Sequence, residues 1–224
     1  MGRWGHRLFE GDADLDVAGE IDCDFESDEK DLRLSDLANM ITPNEAKSDK
    51  DKQSLEEHFL NVRTRLNSGI GDELMAKYRA VEKKNPDYFG SPRDDGRYRV
   101  ILLGAMMMAA GATFKQDDFD HLRELTSKID AIDGFALPIC DTPFRAPGKA
   151  QFLAALDQYI PGTPRSFGSP SCFHCGKIAA DGVGQPLRKC SGCMRVWYCD
   201  KSCQKKHWKA HKTYCEPMGM MMNV

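Results

Sequence analysis

Seven of the nine cysteines fall between positions 172 and 215, and with His211 they form four closely spaced pairs. Two residues separate Cys172 from Cys175 and Cys190 from Cys193; three separate Cys199 from Cys203 and His211 from Cys215. Closely spaced thiols with a histidine are the donor set of structural zinc, which takes four ligands per ion in a tetrahedron. Eight donors make two closed sites. With no position left for water or substrate, such sites stabilise a fold and do not catalyse. Isolated cysteines are usually small buried hydrophobes, but seven thiols in 44 residues, paired and completed by a histidine, are not a packing pattern. A segment this short also has too little apolar surface to fold without metal.

Helix geometry limits which pairs can share an ion. Residues 200–212 contain no proline or glycine and read as a helix. Cys203 and His211 would then stand about 12 Å apart along the axis, whereas ligands of one zinc lie about 4 Å apart. The third and fourth pairs must therefore serve different ions. Geometry alone leaves open which of them Cys172 and Cys175 join.

The same residues carry a family resemblance. The two Cys-x2-Cys pairs, Trp197-Tyr198-Cys199, Cys203-Gln204, His207-Trp208, His211-Lys212 and Cys215 together look like a MYND-type zinc finger, position for position over 172–215. The resemblance implies interleaved pairing: Cys172, Cys175, Cys199 and Cys203 on one ion, and Cys190, Cys193, His211 and Cys215 on the other. It leaves His174 and His207 outside the ligand set. The gap between the first two pairs is longer than the family usually has, which makes 179–186 an exposed insertion. Trp197 and Trp208 read as packing residues around the metal. The resemblance also implies a protein-interaction module that docks short proline-containing peptides beside the second zinc, with Gln204 and Trp208 on the helix facing Met194 and Val196.

Two rival functions can be weighed. Residues 171–216 hold nine Lys+Arg against three Asp+Glu, a sum of +6 that would suit nucleic acid. Two Zn²⁺ add four charges and seven thiolates remove seven, leaving about +3, a modest potential. Nucleic acid is thus the secondary reading. MYND fingers also occur inserted in lysine methyltransferases of the SET class, but the chain shows no Asn-His-x-Cys motif, nucleophile elbow, P-loop or dinucleotide fingerprint. The expectation is a non-enzymatic protein. His6, His58 and His121 read as scattered surface residues.

The elements that must carry this finger lie upstream. Residues 161–171, with three prolines, two glycines and three serines, read as a linker, and 216–224 as a methionine-rich tail. Residues 1–160 show helical periodicity: Leu15, Ala18, Ile21 and Phe25; Leu55, Phe59, Val62 and Leu66; Leu74, Tyr78 and Val81; Phe119, Leu122, Leu125, Ile129 and Ile132; Phe152, Leu153, Leu156, Tyr159 and Ile160. The apolar run from Val100 to Ala112 reads as a buried central helix, too short to span a bilayer. No stretch alternates long enough for a strand. The expected architecture is mainly α: a helical domain of about five or six helices followed by the small two-zinc finger.

The first twenty residues resemble the start of a family of uncharacterised helical proteins that begin Met-Gly-x-Trp-Gly, which implies no activity. Trp4, Leu8 and Phe9 would pack this segment on the core, and Asp12 would cap the first helix. Asp12, Asp14 and Asp16 have calcium-loop spacing, but Val17 and Cys23 stand where Gly and Glu are needed. The front is acidic: residues 1–60 carry 17 Asp+Glu and seven Lys+Arg. With no secretory signal or membrane span in view, an intracellular setting, cytoplasm or nucleus, is expected, where clustered cysteines hold metal.

Overall fold

The computed structural model describes residues 2–25, 32–39, 46–84, 96–131, 145–182 and 186–216. Eight α-helices lie among them. They are α1 (Asp12–Phe25), α2 (Asp36–Asn39), α3 (Asp49–Arg65), α4 (Gly71–Lys84), α5 (Gly96–Ala110), α6 (Gln116–Lys128), α7 (Ala146–Gln158) and α8 (Lys201–His211).

Helix α5 is the axis of the core. It is buried on every side, as a helix apolar all round must be. Four helices present one apolar face to it: Val17, Ala18, Ile21 and Phe25 from α1, Phe59 and Val62 from α3, Leu74, Met75 and Tyr78 from α4, Leu122 and Leu125 from α6; α7 packs against α6 and adds Phe152 and Leu156 to the same core. Ser48 caps α3 by accepting from the Asp51 amide at 3.1 Å. A wide helical turn, Leu66–Ile70, joins α3 to α4, with Gly69 at φ 118. α5 ends at Gly111, whose φ of 79 suits a residue without a Cβ. The expected helices are present. Ile132 and the C-terminal methionines lie outside the described residues. Val81 and Ile160, at the ends of their patterns, point into solvent.

The segment read as a linker is packed. Phe167 enters the core between Phe9 and Phe152, at 6.3 and 6.2 Å between ring centroids. The Gly162 amide donates to the Gly111 carbonyl and the Arg165 amide to the Met108 carbonyl. Arg165, itself buried, pairs with Asp181 of the finger. Turn-forming composition marked where the chain leaves the helices, and said nothing about these long-range partners.

The N-terminal segment folds back as a hook. Gly2 and Asp12 bond each other through Gly2 N–H to Asp12 Oδ2 (2.8 Å) and Asp12 N–H to the Gly2 carbonyl (3.1 Å), and Trp4 N–H donates to the Glu10 carbonyl. Asp12 therefore holds the hook closed, where a helix cap was expected. Asp14 is fully buried and accepts from Arg3 Nη2 (2.6 Å), Tyr98 Oη (2.9 Å) and the Phe9 amide (2.8 Å). Burial raises the Asp14 carboxyl, and Arg3 opposes that shift. Leu8 and Phe9 are buried as expected, but Trp4 is 53% exposed.

Candidate metal centre and interaction surface

Short local turns build the finger. The Cys172 carbonyl accepts from Gly176 N–H and the Cys190 carbonyl from Met194 N–H, both at 2.8 Å, so each Cys-x2-Cys pair curls and its two sulfurs converge. Strand β1 (Arg188–Lys189) pairs antiparallel with β2 (Trp197–Tyr198), Arg188 opposite Tyr198. The Phe173 amide donates to the Trp197 carbonyl and ties the first turn to β2. Asp200 caps α8 by accepting from the Cys203 amide at 2.8 Å, which sets the register that aims Cys203 inward.

The sulfurs and the imidazole gather into two groups of four: Cys172, Cys175, Cys199 and Cys203, and Cys190, Cys193, His211 and Cys215. Within each group all donor atoms lie inside 4.8 Å of one another. Cys175 Sγ is 3.5 Å from Cys199 Sγ and 4.0 Å from Cys203 Sγ; Cys190 Sγ is 3.8 Å from Cys215 Sγ; His211 Nε2 is 3.6 Å from Cys193 Sγ. These spacings fit tetrahedral zinc, and the thiolate-rich donor sets select it. The pairing is the interleaved one, so the alternative that helix geometry left open is closed.

The electrostatics also call for a cation. Burial, and then charge on neighbouring Cys172 and Cys175, pushes the Cys203 thiol up to about 12. Burial, and then the hydrogen bond that its thiol donates to Cys190, push Cys215 up to about 12. Crowded thiols cannot all ionise unless a divalent ion sits among them. Burial lowers the His211 imidazole and His207 lowers it further, which keeps it in the neutral form that binds metal.

His207 stands outside both groups. It is buried, with Nδ1 2.9 Å from Tyr198 Oη and Nε2 3.4 Å from Tyr214 Oη, and its ring stacks on His211 at 6.0 Å. It braces the second site. His174 is exposed. His6, His58 and His121 are each half-buried rather than on the surface, and His121 meets Glu82 at 3.1 Å. The insertion expected to stand clear begins as a 3-10 turn, Ala179–Asp181, that Arg165 pins; residues 183–185 lie outside the described set.

The residues implicated in peptide docking divide. Trp208 is 46% exposed and Met194 45%, with Met194 held at φ 56. Gln204, on α8, is half-buried, and Val196 is only 2% exposed, a floor rather than a projecting contact. Trp197 packs as expected, with Lys189 Nζ 4.7 Å above its ring. Sequence reasoning missed a cleft of about 770 Å³ beside the second metal group, walled by the hook on one side and the finger on the other. Nothing in the local sequence joins positions 4–10 to positions 193–216.

Residues 172–215 match the family model described as "MYND finger". Among curated proteins, the chain is 53% identical over 32 residues to Histone-lysine N-methyltransferase ASHR1 of Arabidopsis thaliana, covering 14% of this chain and 7% of that protein. It is 34% identical over 85 residues to N-lysine methyltransferase SMYD2 of Gallus gallus, covering 34% of this chain and 19% of that protein. It is 30% identical over 76 residues to Tudor domain-containing protein 1 of Mus musculus, covering 32% and 6%. The chain thus spans less than a fifth of the length of each of these relatives. No solved structure matches it. Among the described residues, no helix is long and apolar enough to cross a membrane. Ligand geometry and family match agree: residues 172–215 are a MYND finger, a domain that typically mediates protein interaction, with two zinc sites.

Proposed function

We propose that the protein is a non-enzymatic adaptor whose finger binds short proline-containing peptides of partner proteins. The observation that carries this reading is the exposure of Trp208 and Met194 beside the second zinc site. Trp208 lies edge-on to His211, a zinc ligand, at 5.8 Å. Large apolar side chains held in water by a metal-braced scaffold can receive a pre-extended proline segment at low entropic cost. Each zinc has four protein ligands, so the ions serve as scaffold. The methyltransferase names of two relatives belong to proteins of which this chain covers 7% and 19%, and they carry no activity over to it. Zinc thiolates at this density suit a reducing compartment, cytoplasm or nucleus.

A nucleic-acid reading draws on one observation, the exposed Lys201, Lys205, Lys206 and Lys209 of α8. Salt separates the two. Phosphate contacts would weaken steeply as salt rises from about 50 to 200 mM, whereas apolar docking would change little. We expect zinc-loaded protein to bind members of a proline-containing peptide library at micromolar Kd or weaker, with Trp208→Ala abolishing it. Steeply salt-sensitive binding to random DNA or RNA, with Trp208 irrelevant to any peptide, would replace the adaptor reading.

A further inference from the structure

The first zinc site carries a second duty. Its Cys172–Cys175 turn, closed by Cys172 N–H to the Lys177 carbonyl and Gly176 N–H to the Cys172 carbonyl, both 2.8 Å, is where the finger meets the helical domain. Phe173 packs on His6 of the hook, Gly176 lies against the Ala150 carbonyl of α7, and Asp181 holds the buried Arg165. The second site lies at the Cys190–Cys193 turn and the end of α8, beside the exposed Trp208. Loss of one site therefore has a different consequence from loss of the other.

The two sites also differ in access to solvent. Cys175, Cys199 and Cys203 of the first are half-buried and only Cys172 is buried; in the second, Cys190, Cys193 and His211 are buried and only Cys215 is half-buried. The thiolate is the form of cysteine that peroxides oxidise, and exposure decides which one reacts. Holding zinc keeps these sulfurs as thiolates. Cys175 Sγ and Cys199 Sγ are 3.5 Å apart, so about 1.5 Å of approach brings them to disulfide length.

We propose that the first zinc site is a modification site, at which a peroxide joins Cys175 to Cys199 and frees the finger from the helical domain. One thiolate of the pair attacks the peroxide; the O–O bond breaks, hydroxide leaves and a sulfenic acid forms. The other thiolate attacks that sulfur, the S–S bond forms and a second hydroxide leaves. The two sulfurs lose two electrons in all, and the peroxide gains them. Cys172 and Cys203 then remain as two donors, too few for structural zinc, and the site gives up its ion. The turn that carries Phe173 and Gly176 loses its brace. This modification is independent of what Trp208 and Met194 bind.

The test uses full-length, zinc-loaded protein carrying Cys23→Ser and Cys140→Ser, treated with limiting hydrogen peroxide. One of the two zinc ions should pass to a chromogenic chelator, and mass spectrometry should find Cys175 joined to Cys199. The radius of gyration from X-ray scattering should rise and amide exchange over 172–181 should quicken. Dithiothreitol with added zinc should reverse both. Gly176→Ala keeps all eight ligands but sets a methyl group against the Ala150 carbonyl. It should be expanded before any peroxide and expand no further after it. A first disulfide among Cys190, Cys193 and Cys215, or both ions leaving together, overturns the proposal. So does a disulfide between Cys175 and Cys199 that leaves the scattering unchanged.

Discussion

His6 sets the edge of its imidazole against Phe173, 5.0 Å between ring centroids, so the N-terminal hook touches the finger one residue after its first zinc ligand. Two stretches at opposite ends of the sequence thus share one small interface. Gly176 adds a second point of contact. A side chain there would run into the Ala150 carbonyl of α7, and its φ of 74 also favours glycine.

Zinc removal should be felt beyond the finger. Native protein is expected to carry two zinc ions by elemental analysis. Chelation should unfold 172–215 and leave most of the helical signal in circular dichroism. The Tm of the helical domain should nevertheless fall by several degrees, because Phe173 and Asp181 no longer meet His6 and Arg165; each 1 kcal/mol is worth about 2–4 °C in a chain of this size. An unchanged Tm would mean that the contacts between the units contribute nothing.

Two substitutions four residues apart on α8 should behave differently. His211→Ala removes a ligand and should cost the second site its zinc. His207→Ala should retain two ions and lose about 1–3 kcal/mol, since it leaves Tyr198 Oη, a buried hydroxyl, without its partner. Equal zinc loss in both variants would place His207 in the coordination shell.

Asp14→Asn, in the first turn of α1, should be the most damaging single change to the hook's attachment. It leaves the buried Arg3 guanidinium without its carboxylate, a loss of about 3–5 kcal/mol by comparison with other broken buried pairs. The denaturant midpoint should drop with the slope unchanged. A loss below about 1 kcal/mol would put this pair in the solvent-screened class.

The histidine at the interface should stay neutral in mildly acid solution. Burial, reinforced by Arg145 and Arg7, lowers the His6 pKa from 6.5 to about 4. The folded state therefore binds its proton later than the unfolded state does. The stability tied to neutral His6 is complete above pH 6.5 and is lost as pH falls toward about 4. Nitrogen NMR of the imidazole at pH 6 should show a neutral ring, and chelated protein should titrate near 6.5. A charged ring at pH 6 in the zinc-loaded protein would show that water reaches the interface freely.

What could be read beforehand followed from how local the governing interactions are. Each Cys-x2-Cys turn closes on itself, so the donors of both sites were visible as spacing. The core helices were visible because their burial repeats every three or four residues, as in Val17, Ala18, Ile21 and Phe25. The partners of Phe167, Arg165 and His6 were not, because each is satisfied by a residue elsewhere in the sequence that no local pattern announces. Trp4 shows the reverse limit. Its size suggested burial, but hydrogen bonds along the hook backbone hold its side chain outward.

Arg165 and Phe167 give the stretch between α7 and the first zinc ligand no slack. A tethered finger would sweep out a volume and meet its partner in any orientation. A finger bolted down this way presents its face on one bearing. A protein gripping it is then held at a set distance and angle from the helical domain, and tension on that grip passes through Arg165–Asp181 into the packed core.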